Sequence, residues 1–404
     1  MKDQRPGSVS GTELKASEGS TGPPLKTSDV SRRAFLRAGV AGACALCFGG
    51  LLAPGQPAQA QSARLGRIGR RRSPWFETLP GSAVRCTLCP KGCTIQAGRR
   101  GPCRVRENRD GVGYTLVYGN PALVQLDPVE RKPFFHVLPG TRALSVSTAG
   151  CPIACQFCEV WDMALVQPDD VHAYDLPPQA IVDHARSTEA RSMSFAFGEP
   201  VAFFEYMHDT AALCREAGLL NLVHSSGYIA AEPLEALVEL IDAVNIDLKS
   251  FDPQFYRRYC DAELEPVLQT LRRLHAAGVH IEITNLLIPT LNDDPEQVAE
   301  MCRWIRDELG PSVPLHFARF YPLYKLSNLP PTPVSTLDRA RAVAHDVGLE
   351  YVYVARVTGH EGESTYCPGC GKTIIRRLGF FVEEVALTDG ACSQCGTVVP
   401  GIWS

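Results

Sequence analysis

Cys151, Cys155 and Cys158 stand in the spacing C-x3-C-x2-C within Cys151-Pro152-Ile153-Ala154-Cys155-Gln156-Phe157-Cys158. Three thiols this close can converge on one metal centre from a single loop. A structural zinc ion takes four ligands, and a closed iron–sulfur cluster takes four thiolates. No fourth cysteine follows nearby, so a four-iron cluster held here keeps one iron open to bind a molecule that reacts. A zinc knuckle is the alternative reading of the same three thiols. The apolar run Ala143 to Val146 precedes the loop and reads as a buried strand ending in Ser147, Thr148, Ala149 and Gly150.

Two further cysteine sets have ligand spacing. Cys86, Cys89, Cys93 and Cys103 follow C-x2-C-x3-C-x9-C, with Gly92, Gly98 and Gly101 available for tight turns. Zinc and an auxiliary iron–sulfur cluster fit that spacing equally. Cys367 and Cys370, then Cys392 and Cys395, form two C-x2-C-Gly knuckles separated by 21 residues, the pattern of a zinc ribbon, with rubredoxin-like iron as the alternative. Cys214, Cys260 and Cys302 fall in or beside helical stretches and read as buried thiols.

The elements that must position these groups alternate. Strand-like runs cover 143–147, 193–197, 221–224, 243–248, 280–288 and 314–320, separated by amphipathic stretches such as 178–187, 201–217, 233–241, 295–309 and 336–347. Near-continuous apolar strands joined by helices predict a parallel sheet curled into a partial barrel, with its site at the carboxyl ends of the strands. The cysteine loop follows the first strand. Gly198-Glu199-Pro200 follows the second and Ser225-Ser226-Gly227-Tyr228 the third, each readable as a plain turn or as part of a site. On the fourth, Asp247 and Lys249 alternate onto one face of an otherwise apolar strand, where charges survive only when paired with each other or with a ligand. Glu282, Thr284, Asn285 and Arg319 are expected to line the barrel, and a hairpin of 114–117 with 122–126 is expected to lead into it.

The chain has 404 residues and a formal net charge of −4. Residues 1–60 carry seven Lys/Arg against four Asp/Glu, leaving 33 basic and 40 acidic residues in the remainder. An acidic body argues against nucleic acid as the main partner. The Arg-rich run from Arg64 to Arg72 reads as a solvated linker. Residues 1–30 are polar with little to bury. Ser31-Arg32-Arg33-Ala34-Phe35-Leu36-Arg37, an uncharged run to Ala53 too short for a stable membrane span, and the small-x-small site Ala58-Gln59-Ala60 are similar to a twin-arginine (Tat) export signal. That places the mature protein in the periplasm, with the cytoplasm as the alternative, and removes Cys44 and Cys47 from the ligand count. The expected organisation is a signal over 1–60, a linker over 61–74, a Cys-rich module over 75–140, a core over 141–356 and a ribbon module over 357–404.

Taken together, Cys86-Thr87-Leu88-Cys89-Pro90-Lys91-Gly92-Cys93, the segment Gly101 to Asn108, the C-x3-C-x2-C loop with an aromatic before its third cysteine, Val244 to Lys249, Ile288 to Asp293 and the ribbon resemble the radical S-adenosylmethionine (SAM) enzymes. In particular they resemble the radical SAM member of the AmmeMemoRadiSam group, relatives of the pyruvate formate-lyase activating enzymes, over about residues 75–404. The resemblance implies an α/β fold: a partial (β/α)6 radical SAM barrel between an N-terminal cysteine-rich metal module and a C-terminal zinc ribbon. It implies a 4Fe–4S cluster on the catalytic Cys151, Cys155 and Cys158, and SAM held near Phe157, Gly198, Glu199, Pro200, Ser225, Asp247 and Lys249, with His316 beside the adenine. An electron donor of the flavodoxin or ferredoxin kind, and a protein substrate or a Memo/AMMECR-type partner, follow from the same resemblance. Glu159-Val160-Trp161 departs from the Gln-Asn-Trp expected after the third cysteine. The function implied is reductive SAM cleavage and hydrogen abstraction. A glycyl-radical enzyme activase and a non-enzymatic exported iron–sulfur electron carrier are the alternatives.

Overall fold

An eight-stranded sheet carries the fold in the computed structural model, which describes residues 62–404. The twin-arginine motif, the cleavage site, Cys44 and Cys47 lie outside the described residues. The sheet begins with β1 (Leu123–Pro128), which pairs antiparallel with β2 (Arg142–Ser147). Then β3 (Ser192–Phe195), β4 (Leu220–Ser225), β5 (Ala243–Asp247), β6 (His280–Leu287), β7 (Leu315–Arg319) and β8 (Val352–Ala355) add in chain order, all parallel. Single-direction winding with a helix between successive parallel strands places every β-to-α loop at one end of the sheet. The six expected strands are all present, and β8 extends the parallel set by one.

The helices follow their sequence signals. The helix α1 (Pro178–Ser187) starts at a proline and buries Ile181, Val182 and Ala185 at helical spacing. After a 3₁₀ turn over Pro200–Phe203 comes α2 (Phe204–Glu216), then α3 (Ala231–Val238) and α4 (Glu265–Ala276), which buries Val267, Leu268, Leu271 and Leu274. The Asp294 carboxylate caps α5 (Pro295–Leu309) by accepting from the Glu296 and Gln297 amides. The last, α6 (Val334–Val347), ends on Gly348 at φ 103°, where a left-handed residue lets the final carbonyls be satisfied.

Three expectations change. The 114–117 and 122–126 segments do not pair with each other. Val112–Thr115 pairs with Arg106–Arg109, and 123–128 is β1, because its hydrogen bonds are completed by the exposed edge of β2. The core therefore begins near residue 123, within the expected Cys-rich module. Nor is the Arg-rich run a free linker: Arg64–Leu65 pairs with His172–Ala173, Arg71–Arg72 pairs with Tyr114 and Thr115, and Arg67 and Arg71 reach Asp175 and Asp209. Among the described residues no helix is long and apolar enough to cross a membrane.

The C-terminal module packs against Phe135 and against Tyr351 and Tyr353 at the start of β8. Its sheet comprises β9 (Thr365–Tyr366), β10 (Thr373–Leu378) and β11 (Phe381–Val385). Cys367, Ile374, Cys392 and Val399 share one apolar cluster with Phe135, Tyr351 and Tyr353. The chain end returns to residues 136–138, where the Ile402 amide donates to the His136 carbonyl at 2.8 Å and the Leu138 amide to the Ile402 carbonyl at 2.7 Å.

Candidate active site

The cysteine loop is pinned on both sides before any ligand arrives. The Ala154 amide donates to the Cys260 carbonyl and the Gln156 amide to the Tyr259 carbonyl, each at 2.8 Å. Both acceptors belong to a π-helical turn, Tyr256–Cys260, of the kind that re-aims side chains at functional sites. Gly150, at φ 100°, lets the chain leave β2 and turn into the loop.

Cys151, Cys155 and Cys158 line one cavity of about 630 Å³ at the carboxyl end of the strands, within the ordinary size of a small-molecule site. No other cysteine is among its lining residues. Burial and nearby Glu199 raise the Cys151 thiol well above its ordinary value, and burial with Cys155 pushes Cys158 up to about 11. Cys155 moves the other way. The Cys260 thiol donates to its sulfur and Lys249 adds positive charge, so the Cys155 pKa falls despite burial. Cys260 is more than a packed thiol, since it stands directly behind a candidate ligand.

The other walls come from successive strand ends. Phe157, Gly198, Glu199, Ser225, Asp247 and Lys249 all line the cavity. The Lys249 ammonium lies 3.0 Å from Asp247 Oδ2, and His224 Nε2 lies 3.0 Å from Asp247 Oδ1. Burial works to raise the Asp247 carboxyl, but Lys249 and His224 outweigh it and hold it well below the carboxylate range. Lys249 is raised above its ordinary value because Asp247 and Cys155 outweigh its burial. Both charges are thus fixed at the cavity wall. The Ile288 to Asp293 segment supports them: Asn292 Nδ2 donates to the Lys249 carbonyl at 2.8 Å and to the Leu286 carbonyl at 2.9 Å.

Glu199 is spent on local structure. Its carboxylate accepts from Ser225 Oγ at 2.6 Å, the Ser226 amide at 2.9 Å and the Val201 amide at 3.1 Å, capping the turn after β3 and tying it to the end of β4. The Ser225 proton is therefore committed inward. A Cβ on Gly198 would stand 2.3 Å from Ser147 Oγ, so only glycine allows the two strand ends to approach this closely. Pro200 begins the 3₁₀ turn, buried and off the cavity.

His316 is placed differently from the expectation. It is fully buried one layer below the cavity, with Nε2 2.6 Å from Glu282 Oε2. Phe135 stands edge-on at 4.8 Å and itself forms part of the cavity lining, closing His316 off from it. Of the four expected lining residues only Thr284 reaches the cavity. Glu282 turns to the Phe135 and His136 amides, at 2.9 and 2.8 Å. Asn285 lies on the other face of β6 and donates to the Leu248 carbonyl at 2.7 Å, and Arg319 Nε donates to the Thr332 carbonyl at 2.9 Å.

His224, Phe197 and Arg356 also line the cavity, without a motif that marks them in the sequence. His224 ends an apolar run just before Ser225-Ser226-Gly227-Tyr228, with nothing in its own spacing to mark it. Phe197 takes φ 70° at the end of β3, with the Lys132 ammonium 4.1 Å from its ring centre. Arg356 pairs with Glu159, its Nη2 2.6 Å from Oε2, joining the cysteine loop to the end of β8. The departure at Glu159 thus has a partner in the chain, which the sequence separation of 197 residues conceals.

The donor set fits an open iron–sulfur cluster: three thiols of one loop on one cavity wall, with no fourth thiol in the lining. The same cavity offers a fixed carboxylate, a fixed ammonium and the apolar walls Ile153, Leu286 and Val354, which suit a charged nucleoside-bearing amino acid such as SAM. Separately, Cys367, Cys370, Cys392 and Cys395 bring their sulfurs within 4.8 Å of one another, with contacts of 3.5 and 3.9 Å. A tetrahedral zinc–thiolate ion, with Zn–S bonds of about 2.3 Å, sets its sulfurs roughly 3.8 Å apart. This set can therefore bind one metal ion.

The Radical SAM superfamily model matches residues 145–303, from inside β2 through the cysteine loop to α5. An uncharacterized protein of Methanocaldococcus jannaschii is 41% identical over 328 residues, covering 81% of this chain and 98% of that one. The pyruvate formate-lyase-activating enzyme of Listeria monocytogenes is 25% identical over 178 residues, or 42% of this chain and 71% of the enzyme. The (2S)-3-sulfopropanediol dehydratase activating enzyme of Klebsiella oxytoca is 26% identical over 113 residues, or 28% of this chain and 36% of the enzyme.

Proposed function

The chain belongs to the radical SAM superfamily, and from that premise we propose that it is an enzyme that cleaves SAM reductively at the Cys151–Cys155–Cys158 site and abstracts hydrogen from a substrate. When bound, a 4Fe–4S cluster on these thiols supplies the electron and the open coordination site for SAM. The residues of the chain do the rest. The π-helical turn holds the loop rigid, Cys260 favours the Cys155 thiolate, and Asp247 and Lys249 present fixed charges to the two charged ends of an amino acid. Phe157, Leu286 and Val354 keep water from the reacting carbon. The observation that carries this reading is the sharing of one cavity by the three thiols and the Asp247–Lys249 pair.

Replacing all three thiols with Ala tests it. Anaerobically reconstituted variant with dithionite should form no 5′-deoxyadenosine, while the wild type does; SAM cleavage by the variant refutes the assignment. An electron carrier that does not bind SAM is disfavoured by the charged pair, which an abandoned site would have no reason to keep facing a cavity.

A second reading, activation of a glycyl-radical partner protein, is favoured by the similarity to two activating enzymes and by the cavity mouth. Leu323 and Phe380 line the cavity yet are 42% and 44% exposed, and Phe381 beside them is 72% exposed, an apolar rim suited to a protein surface. The same proposal assigns zinc to the C-terminal four-thiol set, a flavodoxin- or ferredoxin-like electron donor, and export by the twin-arginine motif at Arg32 and Arg33.

A further inference from the structure

Cys86, Cys89, Cys93 and Cys103 belong neither to the Cys151 cavity nor to the C-terminal four-thiol set. Cys86 ends the strand Val84–Cys86 and Cys93 precedes the strand Thr94–Ile95; the Cys86 amide donates to the Cys93 carbonyl at 2.9 Å, so Cys89 rides on the loop between them. Cys103 comes from a second turn, in which the Arg104 amide donates to the Gly101 carbonyl at 2.9 Å and Arg104 itself sits at φ 72°. Cys86 belongs to the main buried core, and Cys89, Cys93 and Cys103 all pack against that same core.

Their span separates two metals that the spacing alone leaves level. Among the described residues, the C-terminal set is the one group of three or more ligands whose atoms all gather within 4.8 Å; Cys86, Cys89, Cys93 and Cys103 form no such group. Around a single ion the sulfurs must close to roughly 3.8 Å. In a four-iron cubane each thiolate serves a different corner, so the sulfurs stand farther apart.

A buried cation waits beside them. Arg106 is 1% exposed, its Nη1 is satisfied by Glu205 and by Ser73 Oγ at 3.2 Å, and its Nε finds no partner. Arg106 stands three residues after Cys103, and its carbonyl accepts from the Gly101 amide at 2.8 Å, at the turn that carries Cys103. An unpaired N–H this deep is destabilising unless something accepts it, and the sulfurs of an anionic cluster are acceptors. The location is equally specific. A Cβ on Gly150, next to Cys151, would stand 2.6 Å from Val105 Cγ1 and 3.0 Å from the Cys103 carbonyl, and Lys91 pairs with Asp261, next to Cys260.

We propose that Cys86, Cys89, Cys93 and Cys103 hold a second four-iron cluster, ligated by protein on all four irons and seated against the base of the loop that carries the first. Because no iron is open, this centre does not bind SAM. The proposal does not depend on the function assigned to the Cys151 site.

Full-length chain carrying C151A, C155A and C158A, reconstituted anaerobically with iron and sulfide, decides it. About four irons and four sulfides per chain should remain, with one zinc, and a reduced-cluster paramagnetic signal that SAM does not alter. Two zinc ions and no iron overturn the proposal, as does a signal that shifts with SAM. Should the triple variant not fold, the wild type is compared with a C89A/C93A variant instead: loss of about four irons with zinc unchanged supports the second cluster, whereas loss of one zinc with iron unchanged refutes it.

Discussion

His136 should make the folded state acid-sensitive above the range in which carboxylates titrate. Its imidazole is fully buried, with Nδ1 2.7 Å from the Pro400 carbonyl and Nε2 2.7 Å from the Tyr353 hydroxyl. A carbonyl only accepts, so Nδ1 carries the proton and Nε2 accepts from Tyr353. The Tyr353 oxygen then accepts from Thr365 Oγ1 at 2.9 Å, and Thr365 accepts from Arg377 Nη1 at 2.8 Å. Every donor in this chain points one way, and protonating Nε2 would set a donor against a donor. Glu282, His280, Arg377 and Tyr351 are the other polar groups facing the ring. Burial pushes the imidazole down to about 3 against an ordinary 6.5. Above the ordinary value both states are neutral and nothing changes. As pH falls below it, the unfolded chain takes a proton that the folded chain refuses, so stability drops until the folded value is reached. At about 1.4 kcal/mol per pK unit the loss is about 2 kcal/mol between roughly pH 7.5 and 5, and about 4 kcal/mol by pH 3. Urea midpoints of the reconstituted chain, read by pulse proteolysis across that upper window, measure it. His136→Phe should be less stable at neutral pH yet lose most of the pH slope. A slope equal to that of the wild type refutes the reasoning.

Asp247→Asn and Lys249→Ala should retain the cluster but bind SAM roughly 30- to 1000-fold more weakly, since a buried charge-assisted hydrogen bond contributes about 2–4 kcal/mol; unchanged affinity by equilibrium dialysis assigns the pair to structure alone. Replacing Cys367 and Cys370 with Ser should release one zinc per chain and lower the melting temperature, because the turns of β9 to β11 close only around the ion; metal analysis showing iron, or no change, contradicts this. A reporter fused behind residues 1–60 should be exported in a host with the twin-arginine translocase, and R32K with R33K should stop it, because an ammonium does not reproduce the planar guanidinium donors. Equal export with the Lys pair points to an ordinary secretory signal.

The local chemistry of this protein is written in its sequence. Ligand spacing within one loop is a sequence property, so the three thiols and the C-terminal knuckles could be read as sets, and the structure brings each set together. Asp247 ends β5 and Lys249 lies two residues beyond it, so the strand alternation read in the sequence places Asp247 alone, while near-continuous apolar runs marked all six expected strands. What needed the tertiary structure was everything decided between distant segments. His316 looked like a cavity residue because its strand and face were right; only Phe135, from before the first parallel strand, determines that it is covered. Glu282 seemed free to meet a substrate until the chain at Phe135 and His136 turned two amides toward it. Residues 123–128 carried a strand signal, but which edge they joined depended on the unpaired side of β2. Periodicity fixes which face of a strand a side chain occupies. Depth along the barrel, and the partner that covers each layer, arise only when segments far apart in the chain compete for the same space.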